Sequence, residues 1–196
     1  MTTIPPIVEK LGYRSVWFTD HVIGLKAYEP VYRGEWAEAF TAMTWAAART
    51  EHVQIGLGVL VGPLRDPVYA AKVVATMDQL SGGRVQLGVG TGWAYREFEA
   101  LGRAQLFGKR GSATDEALEV MRRCWEGGTF GFDGTWSGFK EIEFAPVPAQ
   151  STLPLWIGGQ SGAALRRAAK WADVWHPHRI SPDELREGGD ALDALA

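Results

Sequence analysis

Residues 53–90 decide the fold, and they read VQIGLGVLVGPLRDPVYAAKVVATMDQLSGGRVQLGVG. Two near copies, VQIGLGV and VQLGVG, stand at its ends, and each alternates aliphatic residues with glutamine or glycine. Between them, Pro67 opens a segment with apolar residues at helical spacing, which stops at Ser81-Gly82-Gly83. A strand, a helix and a second strand form a βαβ unit, so the sequence predicts parallel strands at 53–61 and 84–90 and a helix at 67–80.

The two copies also predict which face of each strand is buried by helices. The aliphatic side chains share one face, and in a parallel barrel that face meets the outer helices. The opposite face carries Gln54, Gly56 and Gly58 in one strand and Gln86, Gly88 and Gly90 in the other. We expect this glycine face to point inward and to leave room for a flat ligand at the strand ends.

The same rhythm extends along the whole chain. β-Branched and aromatic runs predict strands at 15–19, 154–157 and 173–176, and Asp133-Gly134 predicts a hairpin within 129–146. Apolar periodicity predicts helices at 4–11, 36–51, 95–101, 114–126 (with Thr114 as N-cap), 163–171 and 182–195. Residues 1–196 are therefore interpreted as one α/β domain with five strands of a parallel βα repeat, fewer than the eight that a closed (β/α)8 barrel needs.

Composition excludes several classes of protein. The 196 residues include 20 Lys and Arg and 23 Asp and Glu, and a net charge of −3 lacks the basic footprint of a nucleic-acid binder. The single cysteine, Cys124, excludes a disulfide framework and a cysteine-rich metal site. There is no apolar run of about 18 residues and no N-terminal pattern of a secretion signal. We expect a cytoplasmic protein without a membrane or nucleic-acid partner.

Candidate functional residues follow the predicted strands, because parallel-barrel sites lie where strands end. Asp20 and His21 form an acid–base pair candidate, since imidazole titrates near neutral pH; the alternative is a capping aspartate beside a structural histidine. Trp93 is a candidate wall of a substrate pocket, and the alternative is an ordinary packing residue. The other strand-end residues are Gly58-Val59, Thr91-Gly92 and Gly158-Gly159-Gln160-Ser161.

The last of these groups, Gly158 to Ser161, is a glycine-rich turn that opens a helix. Free backbone N–H groups and the helix dipole at such a turn favour a phosphate, whereas the alternative is an ordinary strand-to-helix turn.

Other histidines and tryptophans are assigned to structure. His52 lies between a helix and a strand, and His176 and His178 lack a carboxylate at metal-ligand spacing, so no metal site is predicted. Packing on helix or strand faces explains five tryptophans, which are Trp17, Trp36, Trp45, Trp125 and Trp171.

Three stretches together resemble a known family. They are LGYRSVWFTDH at 11–21, the segment 53–93 ending in GVGTGW, and PLWIGGQSGAALRRAAKWADVWHP at 154–177. They resemble the luciferase-like oxidoreductases, which use flavin or the deazaflavin coenzyme F420. EFEALG at 97–102, followed by DEALEVMRRCWEGG at 115–128, is most similar to the F420-dependent branch.

The resemblance implies a fold of the (β/α)8 TIM-barrel type, incomplete in this chain, with a cofactor at the strand ends and a small-molecule substrate beside it. Asp20 and His21 would lie by the ring and the reacting centre, with His21 as acid–base group. The ring would meet a bulge at Gly58-Val59, often with a non-prolyl cis peptide, and Thr91-Gly92. Gly158, Gly159, Gln160 and Ser161 would bind the cofactor phosphate, and Trp93 would touch the substrate. Substrate choice would rest on the loops 22–35 and 94–110.

The resemblance also implies what this chain lacks. The family's first strand and last two strand–helix units have no counterpart here, so open strand edges favour a homodimer or other self-association. F420-dependent hydride transfer is the first functional hypothesis. The alternatives are an FMN-dependent monooxygenase and a truncated, inactive flavin-binding or interaction domain. We expect an isolated chain of this kind to be marginally stable and weakly active.

Overall fold

The computed structural model of the chain describes residues 3–24 and 36–195. Its regular elements, in chain order, are α1 (Ile4–Lys10), β1 (Ser15–Phe18), α2 (Ala39–Ala48), β2 (Gln54–Val61), α3 (Pro67–Ser81), β3 (Val85–Gly90), α4 (Tyr95–Ala100), α5 (Arg110–Glu126), β4 (Gly128–Asp133), β5 (Gly138–Phe144), β6 (Leu155–Gly158), α6 (Gly162–Trp171), β7 (Val174–His176) and α7 (Pro182–Asp193). Short 3₁₀ turns span Gly62–Leu64 and Ala104–Lys109.

Among the described residues, five strands form one parallel sheet in the order β1-β2-β3-β6-β7. Helices connect successive strands, and β4 and β5 form a separate antiparallel hairpin between α5 and β6. The predicted α/β architecture, its five parallel strands and the hairpin are therefore confirmed. β1 and β7 are the outer strands of the sheet, and self-association through them stays a prediction.

The aliphatic face of the sheet forms the main core, as predicted. Side chains on this face are fully shielded by α2, α3 and α5; they include Ile55, Leu57, Val85, Leu87, Val89, Leu155 and Ile157. α3 is well defined locally, because Asp66 caps its first turn through the Tyr69 N–H and Gly82 ends it at φ +70°. Trp45 differs from expectation, because it is half exposed on α2 beneath the Arg49 guanidinium.

The predicted start of α5 was wrong. The helix begins at Arg110, four residues before Thr114, whose hydroxyl donates to the Arg110 carbonyl inside the helix (2.7 Å). The Arg110 guanidinium lies over the Phe107 ring, which in turn packs edge-on against Phe98. These tertiary contacts favour the earlier turn, which local capping signals alone did not indicate.

The glycine face of the sheet is filled by the chain's own side chains. A Cβ at Gly56 would overlap the Trp17 ring, and the ring centres of Trp17 and Trp156 are 4.7 Å apart. Trp17 also stacks on His176, with ring centres 6.1 Å apart, although these residues lie on the two outer strands. The sheet therefore curls until side chains of its two outer strands meet in this inner aromatic cluster of Trp17, Trp156 and His176. The expectation that the glycine face is open was wrong, because these rings fill part of it.

Cys124 belongs to the core on α5 and is fully shielded. Burial, and secondarily the charge of Asp66, raises the pKa of its thiol from 9.0 to about 11. At neutral pH the reactive thiolate is thus scarcer by about 100-fold than for an ordinary thiol.

We expect Cys124 to react with a disulfide reagent at least about 100-fold more slowly in the native chain than in denaturant. Absorbance of the released thiol reports both rates in one instrument. Equal rates would contradict the burial of Cys124 in the core.

Candidate active site

Parallel strands place their carboxyl ends at one edge of the sheet, called here the mouth. β1 leads to Asp20 and His21, β3 leads to Thr91, and β6 leads directly to the turn before α6. The sequence therefore located these candidate residues at the correct edge. Of the loop 22–35, residues 25–35 lie outside the described residues.

Asp20 joins the ends of β1 and β2. Its carboxyl group is buried, and it accepts the Val61 N–H (2.9 Å) and an Arg65 N–H (2.5 Å) through separate oxygens. Burial raises the pKa of Asp20, whereas the Arg65 charge and the Val61 N–H oppose the rise. Both oxygens are engaged within the chain, so the structure gives Asp20 a positioning role; its contact with a cofactor or reacting atoms stays a prediction.

His21 is paired with a carboxylate that the sequence analysis did not identify. Its Nδ1 lies 3.2 and 3.3 Å from the two oxygens of Glu97, on α4. Glu97 is 2% exposed and also accepts the Val22 N–H (2.8 Å). A carboxylate on one ring nitrogen fixes the orientation of an imidazole. The EFEALG motif contained Glu97, but nothing local linked it to a histidine 76 positions away.

Two tryptophans border the His21 ring. The ring centres of Trp36 and Trp93 lie 4.8 and 5.9 Å from that of His21, both in edge-to-face geometry. Trp93 is 42% exposed, and its place on a substrate pocket wall stays a prediction. Trp36, which we assigned to packing, is a neighbour of the candidate catalytic group instead. Its Nε1 is shielded from solvent and bonds to none of the described residues.

Gly58 and Val59 form the bulge that the resemblance implies. Leu57 pairs with Leu87 and Leu60 with Val89, and the Gly58–Val59 peptide is cis. The Val59 methyl groups lie against Gly88, Gly90 and Gly158, where a Cβ would crowd them at 2.6–3.1 Å. The glycines of two strands, β3 and β6, therefore admit Val59 to the centre of the mouth, and its contact with a cofactor ring stays a prediction.

Gly92 has a structural explanation. Its φ is +76°, and a Cβ there would press on the side chains of Val61 and Phe98. Gly92 thus allows the loop after β3 to cross a small cluster of Val61, Leu64 and Phe98. The predicted cofactor contacts of Thr91 and Gly92 remain predictions.

The turn after β6 places a helix start at the mouth. Ser161 caps α6 by accepting the Ala164 N–H (3.2 Å), and the Gln160 side chain donates to the His178 carbonyl (3.1 Å). The Gly159 N–H donates to the His176 carbonyl (3.3 Å). We expected free N–H groups in this turn, and for Gly159 that expectation was wrong. The N–H groups of Gly162 and Ala163 begin the helix and have no acceptor within it, which leaves donors suited to a phosphate.

Within residues 3–24 and 36–195, no three His, Cys, Asp or Glu side chains are grouped as a metal site would require. Burial, and secondarily the charge of His178, lowers the pKa of His176.

None of the helices in the described part of the chain is long and apolar enough to cross a membrane.

Comparison with known proteins gives a family match. The model of the family described as luciferase-like monooxygenase matches residues 7–196. An F420-dependent glucose-6-phosphate dehydrogenase of Amycolatopsis mediterranei is 32% identical over 170 residues, 84% of this chain and 49% of that protein. An FMNH2-dependent dimethylsulfone monooxygenase of Pseudomonas putida is 30% identical over 161 residues, 81% of this chain and 44% of that protein. The chain spans about half the length of the curated relatives it matches.

Solved structures show the same fold. Monooxygenase RslO1 of Streptomyces bottropensis superimposes with a TM-score of 0.85 at 23% identity, covering 99% of this chain and 59% of that one. An F420-dependent secondary alcohol dehydrogenase, in complex with an F420-acetone adduct, gives a TM-score of 0.79 at 25% identity, covering 98% and 59%. The fold therefore matches the TIM-barrel enzymes of this kind over part of their length, as an incomplete barrel would.

Proposed function

Since this chain belongs to the luciferase-like monooxygenase family, we propose that it functions as an oxidoreductase. The proposed reaction is hydride transfer between coenzyme F420 and a small organic substrate. The members named above are oxidoreductases, and some use F420 whereas others use FMN. The proposal concerns the mouth of the sheet, where the described residues bring together a histidine, a carboxylate and a helix start.

The observation that carries the proposal is the His21–Glu97 pair. The His21 side chain is 11% exposed and that of Glu97 is 3% exposed, so bulk water has little access to the pair. A proton on Nδ1 of His21 is held against the Glu97 carboxylate, which orients the imidazole toward a fixed position at the mouth. An oriented imidazole is the commonest group that moves a proton to or from a reacting oxygen.

The residues at the mouth fit a cofactor with a flat ring and a phosphate. Gly162 and Ala163 would donate N–H groups to the phosphate, with Gln160 and Ser161 shaping the turn. Val59 offers an apolar surface of modest size against which a ring would lie. When bound, the deazaflavin supplies the hydride, and the chain binds it, orients it and excludes water.

Trp93 and Trp36 support a substrate position beside His21. Both rings contact the imidazole, and Trp36 holds an N–H that is shielded and lacks an acceptor among the described residues. A substrate with an oxygen acceptor and a small apolar body would match these groups. Asp20 would keep the end of β1, and hence His21, in register with β2.

The preference for F420 over FMN rests on the motif EFEALG, whose first residue is Glu97. We expect F420 to bind with a lower Kd than FMN when each is titrated against the quenching of tryptophan emission. ATP, which carries phosphate without such a ring, is the control and should not compete. Tighter binding of FMN would reject the preference and favour the second candidate function.

That second candidate is an FMN-dependent monooxygenase. It is favoured by the family description and by the relative of Pseudomonas putida, which uses reduced FMN. The same mouth would serve, with the His21–Glu97 pair again placed at the reacting centre. Consumption of oxygen in the presence of reduced FMN distinguishes it from hydride transfer with F420.

A further inference from the structure

The indole of Trp175, on the face of β7 opposite to the aromatic cluster, is bonded to the turn after β6. Its Nε1–H donates to the Gly159 carbonyl at 2.7 Å. The Gly159 N–H donates on its other side to the His176 carbonyl. Gly159 has φ +109°, a region that side-chain-bearing residues rarely adopt. The backbone of this one glycine is therefore held at both its N–H and its carbonyl.

Fixing that carbonyl also fixes the next N–H group. The Gly159 carbonyl and the Gln160 N–H belong to one planar trans peptide unit, in which they point in opposite directions. When Trp175 holds the carbonyl, the Gln160 N–H is directed away from Trp175. The orientation of the turn that leads into α6 thus depends on a side chain of the neighbouring strand.

Packing alone does not hold the Trp175 ring. A cavity of about 240 Å³ borders it, lined also by Gln160, Ile180 and Glu187. The space beside the ring leaves it room to tilt, so the bond to Gly159 specifies its orientation.

α7 also packs against the ring, and Glu187 and Gly188 of this helix are among the residues that line the cavity. Gly188 and Gly189 lie in the middle of this helix, where each glycine costs about 1 kcal/mol relative to alanine. A Cβ at Gly188 would overlap the Trp175 ring, whereas a Cβ at Gly189 would meet nothing within 4 Å. Gly188 is therefore explained by close packing of α7 on Trp175, and Gly189 is not.

We propose that Trp175, seated on Gly188, is a positioning residue that sets the turn Gly158–Ser161 for the phosphate of the cofactor. The proposal rests on the proposed function, since it requires a phosphate at the start of α6. Trp175 itself need not touch the ligand. It acts through the Gly159 carbonyl, and α7 contributes by restricting the ring.

The test compares ligands with and without phosphate. FMN and riboflavin are titrated in parallel, as are F420 and its deazaflavin chromophore without the phosphate. The readout in each pair is the affinity for the ligand with phosphate divided by the affinity for the ligand without it. Trp175→Phe keeps most of the ring but removes the N–H, and it should lower the ratio by about fivefold to tenfold, the effect of one lost hydrogen bond. Affinity for the phosphate-free ligands should not change.

Matched variants serve as controls. Trp171→Phe removes an Nε1–H that bonds to none of the described residues, so the ratio should stay at the wild-type value. Gly188→Ala should displace Trp175 and lower the ratio, whereas Gly189→Ala should leave it unchanged. Thermal unfolding confirms that each variant is folded.

The outcomes separate two failures. A wild-type ratio in Trp175→Phe, or an equal loss of both ligands in each pair, would overturn the positioning role while leaving the proposed function intact. If the wild-type chain binds ligands with and without phosphate equally tightly, the phosphate assignment is overturned, and the positioning role with it.

Discussion

Replacing Arg84 by methionine is expected to lower the free energy of unfolding by about 3 kcal/mol, because a charged donor group with five internal bonds is lost. Its guanidinium donates to the carbonyls of Ala47, Thr50, Val53 and Ser81 and to the Thr50 hydroxyl, at 2.7–3.0 Å. These bonds tie the end of α2 and the end of α3 to the start of β2. Methionine fills similar space but leaves these acceptors without that donor.

Chemical denaturation monitored by tryptophan emission measures the Arg84→Met effect. Arg186→Met is the matched control: its side chain is 69% exposed and pairs with Asp183 on α7, so the change should stay within about 0.5 kcal/mol. A loss for Arg84→Met no larger than the control would show that the bonds seen around Arg84 contribute nothing net. Arg84 lies at the end of the sheet remote from the mouth, where stabilising rather than catalytic residues are expected.

Replacing His21 by glutamine is expected to reduce F420-dependent turnover by about 100-fold or more, the usual contribution of a positioned acid–base group. Affinity for the cofactor should change little, because the proposed phosphate contacts lie at the start of α6. Turnover is followed by deazaflavin absorbance with a panel of small alcohols and ketones. His52→Gln is the control, since the His52 side chain is 85% exposed.

Glu97→Gln tests whether the two groups act as a unit. Glutamine keeps an oxygen for the Val22 N–H but removes the charge that holds a proton on Nδ1 of His21. If the pair is one functional unit, the double variant should lose no more turnover than His21→Gln alone. Losses that multiply would show independent roles, and NMR of the imidazole nitrogens reports the altered proton position without any substrate.

The architecture could be predicted from the sequence because its signals are local. The alternation in VQIGLGV and VQLGVG, the apolar stripe of α3 and the Asp133-Gly134 hairpin signal all arise from neighbours within a few residues. A period of two or 3.6 follows from backbone geometry, so it survives without knowledge of the rest of the chain. The same reasoning placed Asp20 and His21 at the mouth, because a strand end is also a local feature.

The contents of the mouth were decided by the tertiary structure. Glu97 contacts His21, which lies 76 positions away in the sequence. Val59 fills the space left by the glycines of β3 and β6, and the Trp175 side chain bonds to Gly159 from the neighbouring strand. No period or spacing links such partners, since they approach only when the sheet curls and its crossovers pack.

The sequence by itself therefore determined which strands and helices form, their order, and which edge of the sheet carries polar and glycine residues. The tertiary structure alone decided that the glycine face holds Trp17 and Val59, that Asp20 is bound to Arg65, and that His21 has a carboxylate partner. The reason is physical: secondary structure follows from hydrogen bonds and side-chain periodicity along the chain, whereas the pairing of buried polar groups depends on which distant segments exclude water together.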